Sequence, residues 1–172
     1  MKKWIMCFGL LVAVAQAKDM TGRFGIGGNT TLGGTNGLLL SVQLSHLLIL
    51  DATFGWETRV PPGSNAKAQA ASNLAAHAFL NLADYENANL LLGAGFNYGL
   101  YSMFDHEAAL SLEIPLRPVW YVNDHIALFG NVGLNIDILQ PGNDILNNKY
   151  ESTLSYGVSS NILGGFGFLF LF

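Results

Sequence analysis

The sequence is poor in cysteine and in charge. Its single cysteine, Cys7, lies in an apolar run at the N-terminus, and charged residues make up only 12% of the 172 residues. A domain without cysteine beyond that run has no disulfides and no thiol chemistry, so hydrogen bonds and packing alone must stabilise it. Acidic residues outnumber basic ones by twelve to eight, which argues against a nucleic-acid partner.

The chain also lacks a run suited to a transmembrane helix, although 51% of it is hydrophobic. The uncharged stretch 152–172 is long enough to span a bilayer, but four glycines interrupt it and its aromatic residues alternate with others. Such alternation, in a chain with twenty glycines, indicates β-strands.

The N-terminus has the three-part layout of a secretory signal peptide. Lys2 and Lys3 precede the apolar run 4–14, and Ala15-Gln16-Ala17 is a small-x-small cleavage site. The run is shorter than the roughly 20 residues of a retained membrane anchor. We therefore predict a signal peptide over 1–17 and a single mature domain over 18–172. The mature domain has six basic against twelve acidic side chains, a formal net charge of −6.

Apolar and polar residues alternate in eight segments of the mature chain. The segments span about 22–29, 38–45, 48–57, 72–82, 89–100, 108–120, 126–138 and 161–172. The fourth lies within the alanine-rich stretch 67–82, which also suits a helix, but we predict a strand from Ser72 because a helix would leave the barrel one strand short. Pro115 and Pro118 lack a backbone donor, so we expect a bulge or local edge near them.

The two faces of these segments differ in composition. One face carries Leu, Ile, Val and aromatic residues, whereas the other carries Gly, Asn, Ser and a few charges of both signs. A soluble barrel such as a lipocalin would show many Lys and Glu on its polar face. We therefore predict an all-β fold, an eight-stranded antiparallel up-and-down transmembrane β-barrel with its apolar face outward. The first and last strands should pair, because a lipid-exposed sheet edge leaves backbone groups unpaired.

The connections between segments alternate between short and longer. Outer-membrane barrels have short periplasmic turns and longer external loops, so the loops 59–71 and 140–157 are expected outside. Two sets of aromatic residues then fall near the membrane interfaces. Trp56 and Tyr98 belong to the outer set, and Trp120 and Tyr121 to the inner set.

The chain ends on Gly167-x-x-Phe170-x-Phe172, which resembles the C-terminal assembly signal of bacterial outer-membrane barrels, although Gly165 replaces the polar residue usual before the glycine. With the signal peptide and the strand count, the mature chain resembles the small eight-stranded outer-membrane proteins of the OmpA-barrel, OmpX and OmpW kind. The resemblance implies location in the bacterial outer membrane, with outer-membrane lipid and the barrel-assembly machinery as partners.

Eight strands enclose a lumen that side chains can fill, so our leading hypothesis is a non-enzymatic barrel with a narrow polar lumen. Its role would be structural, surface-binding through the loops 59–71 and 140–157, or the passage of small solutes. We expect Arg23 and Arg117 to neutralise Asp51 and Glu113. The predicted lumen network comprises Arg23, Asp51, His77, Glu113, Arg117 and Asp137.

Two other functions stay open at this point. Ser102, Asp105, His106 and Glu107 cluster in one external loop, as a lipid-modifying enzyme would require. A conduit for hydrophobic solutes is suggested by apolar residues on inward rows, namely Leu39, Ile49, Phe79, Leu91, Leu163 and Leu169. We predict no cofactor, and the four histidines show no metal-binding spacing.

Overall fold

The computed structural model describes residues 21–59, 69–101, 107–139, 153–157 and 165–172. The predicted signal peptide and the loop residues Ser102, Asp105 and His106 lie outside these ranges, as does Leu163. The described residues include no helix long and apolar enough to cross a membrane.

Nine strands form within the described residues, and they follow the predicted alternation closely. They are β1 (Phe24–Thr30), β2 (Asn36–Gln43), β3 (Leu48–Arg59), β4 (Gln69–Tyr85), β5 (Ala88–Tyr101), β6 (Glu107–Tyr121), β7 (Ile126–Leu139), β8 (Thr153–Gly157) and β9 (Gly165–Leu171). The alanine-rich segment is a strand, as predicted, because its outward and inward rows find partners on both β3 and β5.

The strands close into an antiparallel up-and-down barrel. Each of β1 to β7 pairs with the next, and β9 pairs with both β7 and β1. Strands β8 and β9 occupy one position in the ring, because β9 pairs with residues 126–131 of β7 and β8 with residues 133–137. The ring therefore has eight positions, which confirms the predicted eight-stranded antiparallel up-and-down barrel and its closure by the first and last strands.

The structure corrects the predicted extent of the loop 140–157, because its last residues form part of the eighth position of the ring. Residues 153–157 are not loop but strand, and they extend the wall beside the second half of β7. At the other predicted binding loop, Arg59 belongs to β3 and residues 69–71 belong to β4. The remaining parts of both loops lie outside the described residues.

No bulge lies at Pro115 or Pro118, but the pairing of β6 with β5 lapses at Pro115 and its pairing with β7 lapses at Pro118, so the expected local edge is present at both prolines. The β5–β6 and β6–β7 registers are the same on either side of both prolines, and the irregularities lie instead at Asn81/Ala83 and Leu110/Ser111. Pro115 is fully buried, and it lies close to Gly93 on β5, which has no side chain. Because Gly93 has no side chain beside the pyrrolidine ring, Pro115 fits without an extra residue in either strand.

The burial pattern places most of the predicted aromatic residues on the outer wall. Trp56 is 69% exposed, Trp120 is 58% exposed, and Tyr98 also faces outward. Tyr121 is an exception to the prediction, because it is buried in the lumen and its hydroxyl accepts a hydrogen bond from Asn89 at 3.3 Å. Strand alternation requires this orientation, since its neighbour Trp120 points outward.

Closure of the ring can be tested by cross-linking β1 to β9. Ile26 and Phe170 are direct Cα partners that face outward, and Cα atoms of paired strand residues lie within disulfide reach. In a Cys7→Ser background, the pair Ile26→Cys and Phe170→Cys should oxidise to an intramolecular disulfide, measured by loss of free thiols and by a mobility change on a non-reducing gel.

The matched control is Ile26→Cys with Phe166→Cys, where the second cysteine is shifted four residues along β9, about 13 Å at the usual strand rise. This pair should stay reduced. Equal oxidation of both pairs, or of neither, would contradict the register of the closing strands.

Candidate functional site

The lumen has an apolar layer near the short turns that follow β2, β4 and β6. We call this end of the barrel the short-turn end. The layer is one buried cluster of inward-facing side chains: Leu39, Ile49, Phe79, Leu91, Val119, Tyr121, Ala127, Phe129, Leu169 and Leu171. It includes every apolar inward residue that the sequence suggested and that the structure describes. The cluster closes this half of the lumen by packing.

A buried ion pair lies at the boundary between the apolar layer and the polar half of the lumen. The Arg117 guanidinium donates through Nη1 to Oδ2 of Asp51, and both side chains are almost completely buried. The guanidinium carbon lies 3.8 Å from the ring centroid of Phe79 and 4.3 Å from that of Phe129. The cation is therefore packed between two aromatic rings, an arrangement that favours arginine through its flat, weakly hydrated head group.

A chain of amide side chains continues from Arg117 to β1 and β3. Arg117 Nε donates to Asn131 Oδ1 at 2.7 Å, and Asn131 Nδ2 donates to Asn29 Oδ1 at 3.0 Å. Asn29 Nδ2 then donates to Thr53 Oγ1 at 3.0 Å. All of these residues are buried. The chain links four strand positions across the lumen, so it ties opposite sides of the barrel together.

A second buried pair joins β4 to β6. His77 Nε2 and Glu113 Oε2 lie 2.8 Å apart. These residues are two strands apart, and Gly95 lies between them as the Cα partner of each. A Cβ at position 95 would lie 2.3 Å from the His77 ring. The glycine therefore leaves the space through which the histidine reaches the carboxylate.

The strand register explains why Asp51, His77 and Glu113 lie near one another. Successive Cα partners across the strands form one row, which comprises Ser41, Asp51, His77, Gly95, Glu113 and Asn135. Inward residues on such a row are cross-strand neighbours, so ionisable side chains from strands far apart in sequence converge in the lumen.

The loop between β1 and β2, residues 31–35, folds over the polar half of the lumen. The backbone N–H of Gly33 and the amide of Asn97 both donate to Glu113 Oε1, and Thr31 Oγ1 donates to Asn97 Oδ1 at 2.8 Å. Leu32 is only 2% exposed. The loop thus covers the polar half of the lumen, at the end opposite the short turns, and supplies Glu113 with one backbone donor.

Two members of the predicted network lie apart from these pairs. Arg23 donates to the backbone carbonyl of Asp124 at 2.6 Å, at the short-turn end. Asp137 accepts from Asn135 Nδ2 at 2.7 Å on β7. The structure therefore joins Asp51 with Arg117 and His77 with Glu113. The prediction that Arg23 would neutralise Asp51 or Glu113 is wrong, because Arg23 lies at the short-turn end and donates to Asp124 there.

Sequence reasoning missed several residues of the site. Asn29, Asn97 and Asn131 carry most of the connecting hydrogen bonds, and the contact of the 31–35 loop with Glu113 was not anticipated. The alternation in the sequence could have identified these asparagines, because all three lie on the inward-facing, polar side of their strands, as the charged residues do. In the C-terminal segment, Gly167 faces inward, while Phe170 and Phe172 face outward and are exposed.

The described part of the lumen contains a small cavity. A cavity of about 30 Å³, room for no more than a few water molecules, lies at the short-turn end between Arg23, Gln43 and the apolar cluster. Among the described residues, no group of three or more His, Cys, Asp or Glu side chains is placed to hold a metal ion. The arrangement of the described residues can fix side chains and neutralise charge.

Together these features define an eight-stranded antiparallel β-barrel with a filled, internally hydrogen-bonded lumen. No protein-family model matches the chain, no curated protein is significantly similar to it in sequence, and no solved structure matches it significantly. Any function must therefore be argued from the barrel itself.

The buried ion pair predicts strong non-additivity in stability. Asp51→Leu or Arg117→Met alone leaves a buried charge without its partner, which should lower the free energy of unfolding by about 3–5 kcal/mol. The double variant removes both charges and should lose less than either single variant. Urea unfolding of the refolded barrel in detergent micelles measures all three. Single-variant losses that simply add would show that the two side chains are not coupled.

Proposed function

We propose that this chain is an integral outer-membrane β-barrel protein with a closed, non-conducting lumen and a structural or surface-binding role rather than an enzymatic one. The observation that carries the proposal is the reversal of burial across the barrel wall. Charged and amide side chains are buried inside, while large apolar side chains are exposed outside. Lipid, unlike water, is a favourable environment for that outer surface.

The exposed apolar side chains cover the wall on all sides. They come from every strand whose side chains the structure describes, including Phe24 on β1, Phe54 on β3, Phe96 on β5 and Phe168 on β9. Soluble monomers rarely expose contiguous apolar patches larger than a few hundred Å². An apolar band around a closed barrel is the surface that a lipid bilayer requires, and it supports the proposed location in the outer membrane.

The filled lumen supports a non-conducting barrel. The apolar cluster fills one half, and the 31–35 loop covers the other. Between them Arg117 is held by Asp51 and two aromatic rings. An ion would have to displace this buried pair and its hydrogen bonds, at a cost of several kcal/mol.

The conduit for hydrophobic solutes is less well supported than a closed barrel. Leu39, Ile49 and Phe79 do face inward, but they pack against one another, and the cavity beside them at the short-turn end is small, about 30 Å³. The lipid-modifying enzyme rests on Ser102, Asp105 and His106, outside the described residues. Surface binding through the loops 59–71 and 140–157 stays part of the proposal.

Cell fractionation and gel mobility test the proposal. The protein should sediment with the outer membrane, and an unboiled sample should migrate faster in SDS than a boiled one, because a closed barrel resists the detergent. A chain that lacks residues 165–172 cannot close and should show no heat-dependent shift. In planar lipid bilayers the purified protein should give no steady conductance.

Two results would contradict the proposal in different ways. A soluble periplasmic protein without a heat shift would mean that the apolar face is not lipid-facing, as in a lipocalin-like barrel. A heat-modifiable barrel with a stable open conductance would leave the membrane location intact but refute the closed lumen.

A further inference from the structure

A groove of about 580 Å³ lies on the outer wall near the short-turn end, across β5, β6, β7 and β9. Its floor is formed by small or compact outward residues, Ala88, Pro118 and Gly130, and its rim by Tyr85, Trp120 and Phe166. Trp120 and Phe166 are 58% and 62% exposed, so their rings rise above the floor. The volume falls within the range of small-molecule sites, about 300–1,000 Å³.

The strand pairing explains the groove. Between the described strands β6 and β7, Cα pairing stops after Leu116 and Val132 and resumes at Val119 and Phe129, so the ladder is interrupted at Pro118. Proline has no backbone donor, and Gly130 opposite it has no side chain. The groove lies at this place in the wall, because Pro118 donates no backbone hydrogen bond and Gly130 has no side chain to fill the space.

The groove opens onto the exposed apolar band, so on the function proposed above its neighbours are lipid chains. It also reaches the end of the barrel, because Tyr85 and Ala88 flank the turn between β4 and β5. An amphiphile with its chain in the groove would therefore place its head group beside this turn.

The charge of the turn between β4 and β5 favours a cationic head group over an anionic one. Glu86 is exposed and Asp84 is half-buried, and residues 84–91 include no basic side chain. Asp84 accepts a hydrogen bond from the buried Asn81 amide, so the exposed carboxylate at the turn is that of Glu86, which repels an anionic head group and attracts a cationic one. A primary ammonium also donates three hydrogen bonds, whereas a trimethylammonium group has no N–H to donate.

We propose that this groove binds one phospholipid whose head group carries a primary ammonium, with an acyl chain along Pro118 and Gly130 and the ammonium beside Glu86. The inference rests on the membrane location proposed above. It adds a specific lipid site to a surface that otherwise contacts bilayer chains without preference.

Fluorescence quenching of Trp120 tests the site directly. The full chain contains three tryptophans, and Trp4→Phe with Trp56→Phe leaves Trp120 as the sole reporter. The protein is reconstituted into vesicles of equal parts phosphatidylethanolamine and phosphatidylcholine, with bromine on the acyl chains of one lipid or the other. Brominated phosphatidylethanolamine should quench Trp120 about twofold more than brominated phosphatidylcholine. One hydrogen bond to a charged group stabilises binding enough to produce a preference of this size.

Matched variants separate the groove from the bulk bilayer. Trp56, left as the sole tryptophan by Trp4→Phe and Trp120→Phe, lies outside the groove and should be quenched equally by both lipids. Glu86→Gln should abolish the preference at Trp120, and Gly130→Leu should do the same by filling the floor. Ala94→Leu, an outward substitution on β5 away from the groove, should leave the preference unchanged.

Equal quenching of Trp120 by the two lipids, or a preference that survives Glu86→Gln, would overturn the lipid site while the membrane location stands. Absence of quenching by either lipid would instead refute the membrane location. The two proposals therefore fail in different ways.

Discussion

The need to pair every backbone N–H and C=O in the wall determines the rest of this structure. The first and last strands pair to close the ring, and a ring of eight positions is too narrow for an open aqueous channel. Charged side chains that face such a lumen cannot be fully hydrated, so they must be paired there. Asp51 with Arg117 and His77 with Glu113 follow from closure in this way, as do the amide side chains that connect them.

Inward-facing glycines link the backbone of the wall to the packing of side chains in the lumen. Gly95 leaves space for the contact between His77 and Glu113, and Gly93 accommodates Pro115 and the Phe79 ring. Phe79 in turn covers one face of the Arg117 guanidinium. The glycine content that makes the sequence resemble a barrel thus also fixes the arrangement of the buried charges.

The fold was predictable from the sequence to a larger extent than the site. Strand alternation has a period of two in a chain with few charges, so β1 to β7 and their faces could be predicted within a few residues. β8 was not predicted, although Leu154 and Tyr156 alternate there with Thr153, Ser155 and Gly157, because the alternation is only five residues long and follows the polar stretch 140–152. The ion pair depends on register across strands, which a single sequence does not specify. The inward fold of the 31–35 loop depends on donors to Glu113, a residue about eighty positions away.

The most direct test of the central claim, that the polar face is enclosed and the apolar face meets lipid, is the accessibility of spin labels on β6. Nitroxides at Leu112, Ile114 and Leu116, all outward-facing, would be compared in reconstituted vesicles with a label at Asn123 in the exposed turn. The account predicts strong relaxation by oxygen, which concentrates in lipid, and weak relaxation by a water-soluble nickel complex at the three strand positions, with the reverse at Asn123. Strong relaxation by the nickel complex at Leu112, Ile114 and Leu116 would contradict it.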